Sequence, residues 1–315
     1  ISELISLVII FISYLSYKSK NGFMYIDSNA PKNSYKYSEA FKLVLKYSLP
    51  ATFSAIIIPL TSFFDSFFVI NLLTHSGFTS AVATSLYGIN NGIVSSLINL
   101  PIIFSSSLSA VIIPSISSSL QCDKKEDVNK KCSMFIKVVF IITLPCVVFL
   151  ILYSKDIIYL LYSRGLDSKV INEYAFAYKL LIVSSASVIY YGFLQTFTSI
   201  LQSMGKPIQP LISLCIAFII RFILTYILVN NPAINIFGVA ISQVVFLMVA
   251  CLICLYFIRK EIKLYFSVYK MILAPLFAIT TSAIVSMILR DLLIDSSIYI
   301  YCILTANNLC IYITK

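Results

Sequence analysis

Two long apolar arms joined by a short uncharged link dominate the chain. The first, YSLPATFSAIIIPLTSFFDSFFVI, runs from Tyr47 to Ile70; the second, LYGINNGIVSSLINLPIIFSSSLSAVIIP, from Leu86 to Pro114. Each exceeds the roughly 20 apolar residues that a membrane-crossing helix needs. Similar runs recur downstream, so eight full spans are predicted, at 43–73, 82–114, 134–154, 172–203, 208–229, 235–258, 267–289 and 295–313. A shorter run over Leu4–Tyr17 lacks the charged start and small-residue cleavage site of a signal peptide. It reads as the tail of a helix that begins before Ile1. Turn residues mark the links, as in Gly205-Lys206-Pro207, Asn231-Pro232 and Arg164-Gly165. Lys18–Phe41, rich in Lys, Asn, Ser and Tyr, reads as a flexible connector.

The polar positions inside these arms are few and ordered. Asp65 lies deep in the first arm, where an unpartnered acid costs about 2.5–3.5 kcal/mol. In the second arm Asn91, Ser95 and Asn99 repeat every four residues and fall on one helix face. Arg221, in ISLCIAFIIRFILTYILV, is the other charge well inside a span. Taking Asn71 and Val229 as outer ends, the 1.5 Å rise puts Asp65 about 9 Å and Arg221 about 12 Å below the outer edge. Two readings are open: the charges form a buried pair, or each faces a watery cavity separately. A pair could open and close as helices move, could draw an anionic substrate to Arg221, or could be structural alone.

Lower-stakes polar positions follow the same logic. Tyr191, Gln195, Thr198 and Gln202 form a stripe on the fourth full span, and Ser242 and Gln243 open the sixth. They make either a hydrogen-bonding cavity wall or contacts between helices. Pro59 and Pro101 each remove a ladder hydrogen bond inside an arm and mark candidate hinges.

Composition agrees with this pattern: 59% of residues are hydrophobic and 11% charged, against about 25% charged in a soluble domain. The net charge of +10 is distributed by topology. Seventeen of the 23 Lys and Arg fall in alternate links at 18–46, 124–137, 206, 259–270 and 315, and five in the opposite set. The positive-inside rule therefore puts the 18–41 linker and the C-terminus in the cytoplasm, with no nucleic-acid partner required. Cys251 and Cys254 form a C-x-x-C in an apolar run with no histidine nearby, which reads as packing. Cys122 and Cys132 are read in a basic cytoplasmic loop. The single histidine, His75, is read as a link residue. No catalytic, metal, cofactor or nucleotide motif is visible. Any driving force would come from an ion gradient, the membrane potential or the substrate gradient.

The strings SLPATFSAIIIPLTSFFDSFFVINLL, TSLYGINNGIVSSLINLPIIFSSSLSAVIIPSIS, LQTFTSILQSMGKPIQPL and NNPAINIFGVAISQVV together resemble the stage V sporulation protein B group of polysaccharide-export flippases. That group belongs with the MurJ-type lipid II flippases, O-antigen flippases and MATE multidrug antiporters. The resemblance implies an all-α polytopic plasma-membrane protein: residues 1–17 the last helix of an N-terminal lobe, 18–41 an inter-lobe linker, 42–258 the second six-helix lobe, and 259–315 two additional helices. It further implies lobes that rock around a cationic cavity for a lipid-linked oligosaccharide or lipid II, with cell-wall synthesis enzymes as partners. Some relatives bind a cation through an acid where Asp65 stands, and Arg221 would then act as a tethered cation. Alternatives are a MATE-type drug or cation antiporter and a non-transporting scaffold for wall synthesis.

Overall fold

The computed structural model describes residues 37–162, 171–231 and 233–262, with isolated helical positions in 8–16 and at 280, 281 and 283. Most of the predicted span at 267–289, all of that at 295–313 and most of the 18–41 linker lie outside the described residues. The described chain is a succession of helices: α1 Tyr37–His75, α2 Ser80–Gly88, a π-helical turn Ile89–Val94, α3 Ser95–Gln121, α4 Lys125–Leu152, α5 Ser154–Tyr162, α6 Ile171–Ser203, α7 Ile208–Val229 and α8 Phe237–Glu261. Among the described residues, six segments are long and apolar enough to cross a membrane: Phe41–His75, Ser80–Gln121, Lys125–Leu152, Phe176–Ser203, Ile208–Val229 and Phe237–Glu261. The chain divides into a unit at Ile1–Leu45 and a unit at Lys46–Lys315, and the second holds most of α1 and every helix after it.

Several boundaries differ from the hydropathy reading. The third span begins at Lys125 rather than 134, because a helix entering from water can start with polar turns that carry no hydropathy signal. Its first turn holds Glu126 and Asp127, favourable against the positive end of the helix dipole. Ser119 Oγ donates to Asp127 Oδ2 at 2.6 Å, and Lys131 Nζ reaches Ser119 Oγ at 2.7 Å and the Ser115 carbonyl at 3.2 Å. Cys132 consequently sits inside α4, fully buried, and not in a loop. Helix α1 starts at Tyr37, within the 18–41 linker, with Glu39 in its first turn. His75 is the last residue of α1. The short helix α5 had no counterpart among the predicted spans, being only 9 residues long.

Helix ends follow local chemistry. Gly205 (φ +73°) closes α6, its N–H reaching the Gln202 carbonyl at 3.0 Å while Lys206 N–H reaches that of Leu201 at 3.0 Å. Gly77 (φ +99°) closes α1 through the equivalent bonds to Thr74 and Leu73, both 3.2 Å. These paired bonds satisfy the last carbonyls of a helix and need a left-handed residue at the first position.

Helix α6 is central, packing against α3, α4, α5 and α8. Lipid tails are as apolar as leucine, so helices in a bilayer associate through close packing rather than hydrophobic burial. Small residues on α6 permit that approach. A Cβ added at Gly192 would lie 2.7 Å from Thr143 Cγ2 and 3.0 Å from Ser105 Oγ. Ser185, Ser187, Thr196 and Ser199 are buried, and their hydroxyls return to α6 carbonyls at 2.6–3.0 Å. Facing outward are Phe53, Phe63 and Phe67 on α1, Leu100 and Phe104 on α3, and Ile219 on α7, as expected of a lipid-contacting belt.

Candidate functional site

Asp65 on α1 and Arg221 on α7 meet: Arg221 Nη2 donates directly to Asp65 Oδ2. The arginine side chain is 5% exposed and the aspartate 14%, so both charges are removed from lipid and each neutralises the other. Arg221 Cζ also lies 5.5 Å from the ring centroid of Phe246 on α8, a cation–π position. Aromatic contacts between α1 and α7 flank the pair, and the rings share a small pocket with both charges. Phe64 packs on Phe218 with centroids 5.7 Å apart, and Phe68 on Phe222 at 4.9 Å.

On its inner side the pair faces a cavity of about 300 Å³ between α1, the α2–α3 segment, α6, α7 and α8. Asp65, Arg221, Asn91, Asn99 and Gln243 all line it, as do Ser95 and Tyr191. Gln195 and Gln202 do not. They line a second cavity of about 530 Å³ with Thr198, Ser54, Ser106 and Ser109. Ile58 borders both, so the two adjoin along α1. The glutamine stripe thus faces open space, in a different chamber from the charges.

Neither proline interrupts its helix. Pro59 lies within α1 and borders the first cavity, and Pro101 lies buried within α3. The departure from α geometry in the second arm occurs earlier, at Ile89–Val94, where Ser95 N–H bonds back to the Asn90 carbonyl. A π turn accommodates one extra residue and so rotates the helix before it relative to the helix after it. Asn90, which the four-residue repeat does not include, consequently joins Asn91 on the cavity wall. Tyr87 joins it too, its hydroxyl donating to the Ser62 carbonyl across to α1 at 3.3 Å. An α-helix places consecutive residues about 100° apart, so the four-residue repeat of Asn91, Ser95 and Asn99 leaves Asn90 off its face.

Side-chain bonds tie α7 to its neighbours near the pair. Thr225 Oγ1 bonds Ser242 Oγ at 2.8 Å, linking α7 to α8, and Ser76 Oγ reaches the Val229 carbonyl at 3.4 Å, linking the ends of α1 and α7. At the opposite end Lys206 pairs with Glu261. Cys251 and Cys254 are buried in the apolar core around α8, as packing residues.

Residues 35–305 match the family described as "Lipid II flippase MurJ". The chain is 23% identical over 206 residues to the stage V sporulation protein B of Bacillus subtilis (strain 168), covering 65% of this chain and 38% of that protein. Its fold is similar to that of the lipid II flippase MurJ solved in an inward closed conformation, with a TM-score of 0.60 and 18% identity, over 88% of this chain and 55% of the other. The chain therefore spans between about a third and somewhat over half of the length of these relatives.

Proposed function

This chain belongs to the lipid II flippase MurJ family, and on that footing we propose that it forms the cavity-bearing second lobe of a flippase for a lipid-linked saccharide or peptidoglycan precursor. No covalent chemistry is required. The apolar bilayer core rejects a polar head group, and a wet crevice between helices gives that group a route from the inner to the outer leaflet. Alternating access supplies the cycle: two lobes rock against each other and expose the space between them to one side at a time. In this reading residues 42–258 are the lobe, 1–17 and 18–41 the end of the preceding lobe and its linker, and 259–315 two additional helices. The linker and the C-terminus lie in the cytoplasm of a plasma-membrane protein.

One observation carries the reading: the Asp65–Arg221 pair sits in the wall of a polar cavity among the helices of a chain of this family. Charges that rare inside spans mark pathways more often than lipid contacts. Arg221 takes the part of a tethered cation beside Asp65, so transport by this protein does not depend on sodium. The pairing also speaks against an antiporter that uses a lone acid to hold a cationic drug. Translocation of a fluorescent undecaprenyl-pyrophosphate sugar in vesicles bearing the natural full-length protein tests the proposal. Transport that persists when potassium replaces sodium is expected. Drug efflux in place of lipid translocation would favour the antiporter, and neither activity would favour a scaffold.

A further inference from the structure

We infer that the cavity beside Arg221 is a subsite for an uncharged, hydroxyl- and amide-bearing ligand, of the sugar class, rather than for a phosphate or pyrophosphate. The inference deepens the flippase reading and rests on it for the identity of the ligand. It starts from hydrogen-bond accounting at the guanidinium. Arg221 Nη2 is engaged by Asp65, whereas Nε and Nη1 are buried and have no acceptor among the described residues. An arginine offers five N–H donors in a fixed fork, and donors left unsatisfied in a buried site are costly. Arg221 is 4% exposed and is among the residues that line the cavity, so a ligand there is a candidate for the acceptor these two nitrogens lack.

The character of that acceptor follows from the charge balance. Asp65 already neutralises the guanidinium, and among the described residues no other Lys, Arg, Asp or Glu borders the cavity. A phosphate entering it would be stripped of water and set against a site of no net charge, with a carboxylate in direct contact with the arginine. That is an expensive place for an anion. A carbonyl or hydroxyl oxygen carries no such penalty and still accepts from the arginine edge. The rest of the wall suits the same ligand. Asn90, Asn91, Asn99 and Gln243 each provide a carboxamide able both to donate and to accept, and Tyr191 provides a ring edged by a hydroxyl. Sugars present alternating donors and acceptors on a compact body, and a volume of about 300 Å³ lies at the small end of ligand pockets.

Saturation-transfer NMR on the full-length protein in nanodiscs tests this with two probes, N-acetylglucosamine and inorganic pyrophosphate. Transfer to the ring and acetyl protons of the sugar is expected, undiminished by an excess of pyrophosphate. Asn91→Leu and Gln243→Leu should each weaken sugar binding about fivefold or more, the loss of roughly one hydrogen bond. In Asp65→Asn the guanidinium is freed, and pyrophosphate should then displace the sugar. Displacement by pyrophosphate in the unaltered protein would overturn the inference without any variant having to fold. So would sugar binding indifferent to both leucine substitutions. Sugar binding with these properties in a protein that translocates no lipid-linked sugar would leave the subsite standing and bring down the flippase reading alone.

Discussion

Each member of the Asp65–Arg221 pair is tolerable inside the bilayer only because of the other. Removing one leaves its partner buried and uncompensated, at a cost of about 3–5 kcal/mol. Asp65→Leu and Arg221→Leu should therefore each lower the unfolding temperature in detergent sharply. The double variant, which removes both charges, should recover most of that loss. The exchange Asp65→Arg with Arg221→Asp should recover part of it, because the pair is direct. Arg221→Lys should behave more like Arg221→Leu than its charge suggests: an ammonium lacks the planar fork whose Nη2 reaches Asp65. Thermal melts of the five proteins check the order. At this scale the pair was legible in the sequence, since two charges among long apolar runs at matching depths leave few other partners. Tyr87 and Asn90 were not, because the π turn that brings them to the cavity disturbs the four-residue period by which faces are counted.

Among the elements, α6 is the most constrained, and its constraint is steric. Thr143 and Ser105 leave no room for a side chain at Gly192. Gly192→Val should destabilise by about 1–3 kcal/mol through overpacking, read as a lower melting temperature. Gly92→Ala, at a position where nothing lies within 4 Å of the added Cβ, should leave that temperature unchanged. Gly205→Val should cost about 1–2 kcal/mol because of its left-handed backbone. Long spans such as α7 are legible in the sequence with their ends in place, since the hydropathy pattern and the helix share the bounds 208–229. The entry turns of α1 and α4 are not, since hydropathy is blind to a helix that continues past the membrane surface. The glutamine stripe of α6 revealed a polar face, but which chamber it lines depends on the helices opposite, Ser54 on α1 and Ser106 on α3.

At the scale of the whole molecule, orientation in the membrane can be tested directly. If the basic links are cytoplasmic, the end of α1 lies outside and the turn between α3 and α4 inside. An impermeant maleimide applied to intact cells should label His75→Cys and spare the native Cys122, which is exposed at that turn. Opening the cells should expose Cys122 to the reagent, as peptide mapping would show. Labelling of Cys122 in intact cells would reverse the orientation.

Amino-acid order alone determined that this is an all-helical membrane protein, where the six described spans lie apart from their entry turns, and that Asp65 and Arg221 must be shielded from lipid. Those are consequences of hydration energy, which acts on each segment by itself and is therefore written locally. The division of the polar residues between two adjoining chambers was decided only by tertiary structure. So were the rotation of Asn90 into the wall and the two Arg221 nitrogens left without an acceptor among the described residues. Each of these depends on which helix stands opposite and how closely it approaches, and small residues such as Gly192 set that distance through contacts far apart along the chain.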